Sequence, residues 1–381
     1  DTGVKNLDPP SPFSLLSFED NPHNQLLRSK DWVRSKILSN NIQRIPCRPE
    51  KTERIKIGYF SCDFTNHATM YLAEELFKNH NIKNFEVYAF DYGHYDKKKY
   101  KCRPEIFRNY FDVSNFSDVN VAYQSRDLGL HIAVDLKGYT GGARPQIFAN
   151  RCAPIQINFL GYPGSLGAEY IDYIVADATI IPGDLRENYL EKIIFMPNSY
   201  QPNSNSTREL KKGKLRRDFG FTDDQFIFCC FNNSYKITQK EVDIWIKLLK
   251  EVDGSILWLL RSNPEMEKNL TSYFVDHGIN KSKIVFSNKC GYHDYLERLS
   301  HADLFLDCFT VNAHTTASDA LSVGLPVITK MGRQFSSRVC GSILRAIGMD
   351  TLIVDDYESY FEMAKSLATN RDTYARIRSR L

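Results

Sequence analysis

No run of apolar residues in this chain approaches the ~20 that a bilayer-spanning helix needs; the longest, such as Ile256–Leu260, have the length of a strand. CxxC and HExxH patterns are missing, which argues against a structural zinc or a zinc protease. GxGxxG and Walker loops are missing too, which disfavours a dinucleotide dehydrogenase or a P-loop ATPase. An excess of one charge sign is also lacking. Lys plus Arg total 49 against 46 Asp plus Glu, a net charge of +3, so charge alone implies no nucleic-acid partner. Neither an internal repeat nor a low-complexity tract is present, and nothing resembling a signal peptide follows Asp1. The nine cysteines, odd in number and without repeated spacing, sit mostly in apolar stretches, as Cys229, Cys230 and Cys308 do. They read as reduced core thiols of a cytoplasmic protein.

What is present is enough apolar material for two cores. The 381 residues are 42% hydrophobic and 13% aromatic, and a chain this long is expected to divide into two domains of roughly 150–200 residues. Residues 1–50 contain Pro9, Pro10 and Pro12, a patchily amphipathic stretch from Asn24 to Ser39, and a breaker cluster at Ile45–Glu50. They predict an N-terminal helix feeding a linker. Short β-rich runs follow at Ile55–Phe60, Phe85–Phe90, His131–Leu136, Ile155–Phe159, Tyr173–Ala176 and Ile193–Met196. A passage rich in Asn, Ser, Pro and Lys predicts a second linker at residues 201–215. Strand signals then resume at Phe226–Cys230, Ile256–Leu260, Ile284–Phe286, Leu304–Leu306, Pro326–Thr329 and Leu352–Val354.

Helical patterns fill the gaps; in Gln239–Glu251, Val242, Ile244, Trp245, Leu248 and Leu249 share one face. Alternating strands and helices predict an α/β fold with two Rossmann-like domains, residues 51–200 and 216–381, facing an interdomain cleft. Open parallel sheets bind ligands beyond the carboxyl ends of their strands, so functional residues are expected just after each run.

The strongest local signal is LFLDCFTVNAHTTASD at Leu304–Asp319, a strand, a polar turn and the opening of a helix. Thr315 and Thr316 fall where free N–H groups, hydroxyls and the helix dipole can bind an anion such as a nucleotide diphosphate. His314 could donate to the same phosphate, and Asp319 could accept from a ribose hydroxyl. An N-cap at Thr315 and a satisfied turn histidine explain the pattern equally well. The second signal, FIFCCFNNSYKIT at Phe226–Thr238, is a buried strand ending in Asn232, Asn233, Ser234 and Lys236. Lys236 can offer a fixed cation to a departing phosphate, although an ordinary solvated lysine is the commoner reading of one such residue.

In the first half, IKIGYFSCDFTNHATM ends its strand in Ser61, Asp63, Asn66 and His67. His67 could approach a sugar or phosphate; a lone histidine is more often structural, and its place after the first strand is what argues otherwise. The glycine-bearing turns GYTGGAR (Gly138–Arg144) and LGYPG (Leu160–Gly164) follow two further strands. Their glycines allow close approach to a ligand or serve tight turns.

In order, IGYFSCDFTNHATMYL at Ile57–Leu72, GYTGGARPQIFANRCAPIQINFLGYPGSLGAEYIDYIVAD at Gly138–Asp177, FNNSYKIT at Phe231–Thr238, LWLLRSNP at Leu257–Pro264 and LDCFTVNAHTTASDALSVGLPVIT at Leu306–Thr329 form a specific series. The series resembles the catalytic region of the O-linked N-acetylglucosamine transferase and Spindly-like family, over about Ser11 to Ala368. The wording NAHTTASDAL is most similar to bacterial relatives.

That resemblance implies a GT-B fold and an inverting, metal-independent sugar transfer from a nucleotide diphosphate to Ser or Thr of a protein or peptide. It implies no cofactor beyond the nucleotide sugar, UDP-GlcNAc above others, and no credible DxD cluster stands in a strand-end loop. Residue by residue, Lys236 looks like the family's essential diphosphate-binding lysine, and His67 like the histidine near the donor's phosphate and sugar. His314, Thr315 and Thr316 match the phosphate-binding helix start, Asp319 the ribose-binding acid, and Arg298 an arginine near the nucleobase. Gly161, Tyr162, Pro163 and Gly164 look like the sugar-contacting loop.

Asn233, near the donor phosphate, stands where animal relatives carry Gln and Spindly-like fucosyltransferases carry Asn. Tyr295 stands where a nucleobase-side histidine is expected. The family's tetratricopeptide array, with repeats of about 34 residues, is absent from the sequence, so substrate recruitment through such a partner segment is either missing or removed with an upstream segment. GDP-fucose transfer, glucose transfer to Asn, and a non-catalytic nucleotide-sugar sensor remain open alternatives, and no residue stands out as the general base.

Overall fold

Runs such as IKIGYF and FIFCC lack polar alternation, the pattern of strands buried on both faces of a parallel sheet. In the computed structural model they sit near the centres of two such sheets. The structure describes residues 9–38, 52–94, 104–204, 208, 210 and 213–381. Ile45–Glu50 of the first expected linker and residues 205–207, 209, 211 and 212 of the second therefore lie outside the described residues. The chain divides into two compact units, Asp1–Asn205 and Ser206–Leu381.

The first unit holds β1 (Ile55–Ser61), β2 (Phe85–Asp91), β3 (Asn109–Asp112), β4 (Ile132–Asp135), β5 (Ile155–Asn158), β6 (Tyr173–Asp177) and β7 (Lys192–Met196). They pair in the order β3-β2-β1-β4-β5-β6-β7, parallel throughout. The second unit holds β8 (Phe226–Cys230), β9 (Ser255–Leu260), β10 (Ile284–Ser287), β11 (Leu304–Leu306), β12 (Val327–Lys330) and β13 (Ile353–Val354), in the order β10-β9-β8-β11-β12-β13. In each sheet the chain moves outward from the first strand in one direction and then returns to that strand's other side. The order reverses between β1 and β4 and again between β8 and β11, and such switch points open a crevice at the carboxyl ends of the strands.

Both α/β units follow the sequence expectation, with three local differences. β3 was not among the expected strands: it is a four-residue edge strand, NYFD, of half-buried and exposed side chains. The predicted N-terminal helix runs from Pro22 to Trp32, capped by Asn21, whose side chain accepts from the Asn24 N–H. It then loosens into a π-helical turn at Val33–Ile37 rather than continuing as α-helix to Ser39. The strand expected at His131–Leu136 is trimmed to Ile132–Asp135.

The helix Gln239–Glu251 forms with the predicted bounds. Its buried face carries Val242, Trp245, Leu248 and Leu249, and Thr238 and Glu241 make a capping box at its start. Burial of that stripe against the sheet is the main source of its stability, since an isolated helix of this length is marginal in water.

Candidate active site

In the second unit the switch point is lined by the loop after β8 and the loop after β11. Lys236 ends a 3₁₀ turn, Ser234–Lys236, with Asn233 at the N-cap position. It is 8% exposed, so the solvated-lysine reading fails. Its Nζ donates to the Asn312 carbonyl at 2.7 Å. Burial pulls the ammonium's pKa down, and the nearby Cys308 and Asp307 oppose that shift. Asn233, next to the buried Asn232, is exposed.

The loop after β11 leads into a helix, Thr315–Ser322, whose N-cap is His314 rather than Thr315, with no side-chain cap bond. Thr315 and Thr316 are therefore its first two residues, half-buried, in the turn whose N–H groups lack intrahelical acceptors. His314 Nε2 lies 3.3 Å from the Ser336 carbonyl, which accepts from the ring when the proton is on Nε2. Burial, reinforced by the Lys236 charge, drives the imidazole pKa down to about 3, so it is neutral at physiological pH. A cation, a helix start and a neutral imidazole thus sit side by side on two loops of one unit. That set can hold an anion and withdraw charge from it.

Asp319 lies one turn into the same helix and is buried. Its Oδ1 accepts from Arg208 Nε at 3.0 Å and from the Tyr292 hydroxyl at 2.7 Å. Burial raises its pKa, and the Arg208 charge works against that rise. Arg298 is buried too: Nη1 donates to the Asn288 carbonyl at 2.9 Å, and the guanidinium lies 5.8 Å from the Phe231 ring centre and 6.0 Å from that of Trp258.

In the first unit, His67 follows β1 and caps the helix Ala68–Lys78: its Nδ1 accepts from the Thr69 N–H at 3.3 Å. That contact needs a bare Nδ1, so the neutral ring carries its proton on Nε2. Asp63 Oδ2 lies 3.4 Å from the same Nδ1 and also takes the ammonium of the buried Lys137, which follows β4. Burial lowers the His67 pKa, opposed by Asp63. Beside them Cys62 is pushed up to about 11 by burial and the Asp63 charge, so it is no ready thiolate. Asp135, at the end of β4, accepts from the N–H groups of Lys137 (2.8 Å) and Gly138 (3.0 Å). Gly138 has φ +56°, and a Cβ there would meet Tyr162 Cβ at 2.5 Å.

The LGYPG loop is packed against the rest of its unit. Tyr162, Pro163 and Gly164 are buried within the unit, and Gln25 of the helix Pro22–Trp32 donates to the Pro163 carbonyl at 2.9 Å. Tyr162 packs on Tyr139 with ring centres 5.2 Å apart. Gly161 is half-buried, and its backbone lies against the Leu136 carbonyl, 2.2 Å from where a Cβ would stand. A cavity of about 470 Å³ in this unit lies at the opposite end of the sheet, between the starts of β1, β2 and β3, with Arg54, Phe77, His80 and Arg108 in its wall.

Sequence reasoning singled out the residues after each strand but passed over the side chains that hold them. Glu241 accepts from the Phe309 N–H at 2.8 Å as well as from Thr238, joining the helix after β8 to the loop after β11. Asp307, Asn312, Arg208 and Lys137 were also missed. One signal for them was visible: Asp closes five strand regions, as Asp91, Asp112, Asp135, Asp177 and Asp307.

The model of glycosyl transferase family 41 matches residues 34–205 and 203–381. A probable UDP-N-acetylglucosamine–peptide N-acetylglucosaminyltransferase SEC of Arabidopsis thaliana is 36% identical over 326 residues, 84% of this chain and 33% of that protein. A similarly named SPINDLY protein of Solanum lycopersicum is 26% identical, covering 89% of this chain and 36% of its own length. This chain thus spans about a third of the curated relatives it matches. A solved O-GlcNAc transferase mutant from Thermobaculum terrenum superposes with a TM-score of 0.85 at 24% identity, covering 97% of this chain and 71% of that one. It shares the fold.

Proposed function

Because the chain belongs to glycosyl transferase family 41, we propose that it is an inverting, metal-independent protein O-glycosyltransferase that moves GlcNAc from UDP-GlcNAc to Ser or Thr of protein acceptors in the cytoplasm. The observation that carries this reading is Lys236: a buried ammonium at the β8/β11 switch point, one loop away from an open helix start. In the reaction the acceptor oxygen bonds to the sugar's C1 as the bond from C1 to the diphosphate oxygen breaks, and UDP leaves with the electron pair. Negative charge grows on the departing diphosphate, where a fixed cation and backbone N–H groups stabilise it more than they stabilise the bound donor. Lys236, Thr315 and Thr316 supply these groups. His67, neutral with its proton on Nε2, serves as a hydrogen-bond donor to the donor's phosphate or sugar. The acceptor's hydroxyl proton departs late and passes to solvent, so no strong base is required.

Asn233 favours a second reading, GDP-fucose as the donor, because Spindly-like fucosyltransferases carry Asn at this position where animal relatives carry Gln. Calorimetry with UDP, GDP, UDP-GlcNAc, UDP-glucose and GDP-fucose, with product release followed on a Ser/Thr peptide library, separates the two. Tight UDP binding with transfer to peptides is expected, and Lys236→Ala should abolish transfer while the protein stays folded. Preference for GDP moves the protein to fucose transfer, and binding without transfer makes it a sensor. Unchanged turnover in Lys236→Ala sinks the proposed site.

A further inference from the structure

Asp307 takes no part in the chemistry above, yet it is the most heavily bonded carboxylate near Lys236. It is 0% exposed and stands immediately after β11. Oδ1 accepts from the main-chain N–H of Ala313 at 2.5 Å and of Cys308 at 2.8 Å, and Oδ2 accepts from the Thr329 hydroxyl at 2.7 Å. Its main-chain carbonyl takes the Tyr360 hydroxyl at 3.0 Å. Ala313 lies between Asn312, whose carbonyl receives Lys236 Nζ, and His314, the cap of the helix Thr315–Ser322. Asn312 is itself fixed, through Nδ2 to the Cys308 carbonyl at 2.8 Å and through its N–H to the Ser336 carbonyl at 2.9 Å. One carboxylate therefore anchors the base of the loop that presents both the acceptor for Lys236 and the helix start.

The charge argument points the same way. The titratable groups that act most on Lys236 are the Cys308 thiol, Asp307 and the thiols of Cys230 and Cys340, with the imidazole of His314 beside them. Burial pushes the Cys308 and Cys340 thiols well up and His314 down to about 3. Asp307, pushed up to about 6 by burial, is still ionised above neutrality. A lysine this buried otherwise tends to shed its proton.

We propose that Asp307 is the buried counter-charge of Lys236, a positioning residue that fixes the loop 308–314 and keeps the ammonium protonated where a diphosphate would leave. The inference rests on the reading of Lys236 as the diphosphate-binding cation. Its test is direct observation of Lys236 in protein labelled with ¹³C at lysine Cε, the signal assigned by its loss in Lys236→Met. Asp307→Asn keeps the volume and the acceptor for Ala313 but removes the charge. Its Lys236 should titrate about one pH unit or more lower than in the unaltered protein. The alkaline limb of kcat should move by the same amount, which a purely structural role would not produce. An unshifted Lys236 titration in a folded Asp307→Asn protein overturns the proposal.

If that variant does not fold, the unaltered protein decides. Its Lys236 signal should carry a second inflection near pH 6, where Asp307 takes up its proton, and a signal flat through that range overturns the proposal equally. Loss of the glycosyltransfer reading would appear as absent peptide transfer in the unaltered protein, with both NMR readouts intact.

Discussion

Gln25 donates its side-chain amide to the carbonyl of Pro163 at 2.9 Å, across a sequence separation of 138 residues. The same nitrogen lies 3.5 Å from the Tyr162 hydroxyl. Through this one amide the N-terminal helix is bonded to a glycine-bearing loop after β5, within the first unit.

Gln25→Ala removes the donor from the buried Pro163 carbonyl and opens space beside Gly164. A loss of about 1–3 kcal/mol is expected, from the unpaired acceptor and the cavity together. Urea denaturation should show a lower midpoint at an unchanged slope. An unchanged midpoint would mean that the contact contributes nothing.

Gly161→Ala sets a methyl group 2.2 Å from the Leu136 carbonyl oxygen and 2.8 Å from Lys137 Cα, both main-chain atoms. Backbone cannot swing aside as a flexible side chain does, so a loss of about 1–3 kcal/mol is expected. Gly183→Ala is the control, since nothing lies within 4 Å of its added Cβ. Equal melting temperatures for the two variants would refute the close approach.

Arg208 and Asp319 form a buried ion pair, with side chains only 4% and 3% exposed. Arg208→Ala strands the carboxylate and should cost about 3–5 kcal/mol. Removing both partners should cost less than the sum of the two single changes, which a double-mutant cycle measures. Strict additivity would show that the pair is not coupled.

Asp135 gives a pH dependence of defined sign. Burial raises its folded pKa to about 6, above the unfolded value near 3.9. The folded state therefore holds this proton more tightly, so the group's stabilising contribution is full below about pH 4 and is lost as pH rises through 6. Asp135→Asn keeps an acceptor for the N–H groups of Lys137 and Gly138 but has no charge to bury. Its stability relative to the unaltered protein should rise between pH 4 and pH 7, as read by urea denaturation at several pH values. Parallel curves would refute it.

Twelve of the thirteen strands among the described residues announce themselves as short apolar runs bounded by turn residues, a composition that burial on both faces demands of inner strands such as β1 and β8. β3 does not: NYFD sits at a sheet edge, where water covers part of it and polar residues are tolerated. Lys236 and the His314–Thr316 turn were legible for a topological reason, since each follows a strand of an alternating α/β pattern. Their supports were not. Asp307 reaches Ala313 and Thr329 by folds of the chain that no local spacing encodes, and Gln25 meets Pro163 only after the first sheet has formed. The LGYPG glycines were legible as close-approach positions, but sequence could not say that the approaching atoms belong to Gln25 and Leu136.

The strand-closing aspartates have one further consequence. Asp135 and Asp307 each clamp main-chain N–H groups of the loop that follows, so the first residues of these loops are ordered before any ligand arrives. A molecule captured there loses little affinity to the entropy of arranging its own binding surface. Evolution can then vary the outer residues of each loop, and with them what the loop binds, while its base stays preorganised.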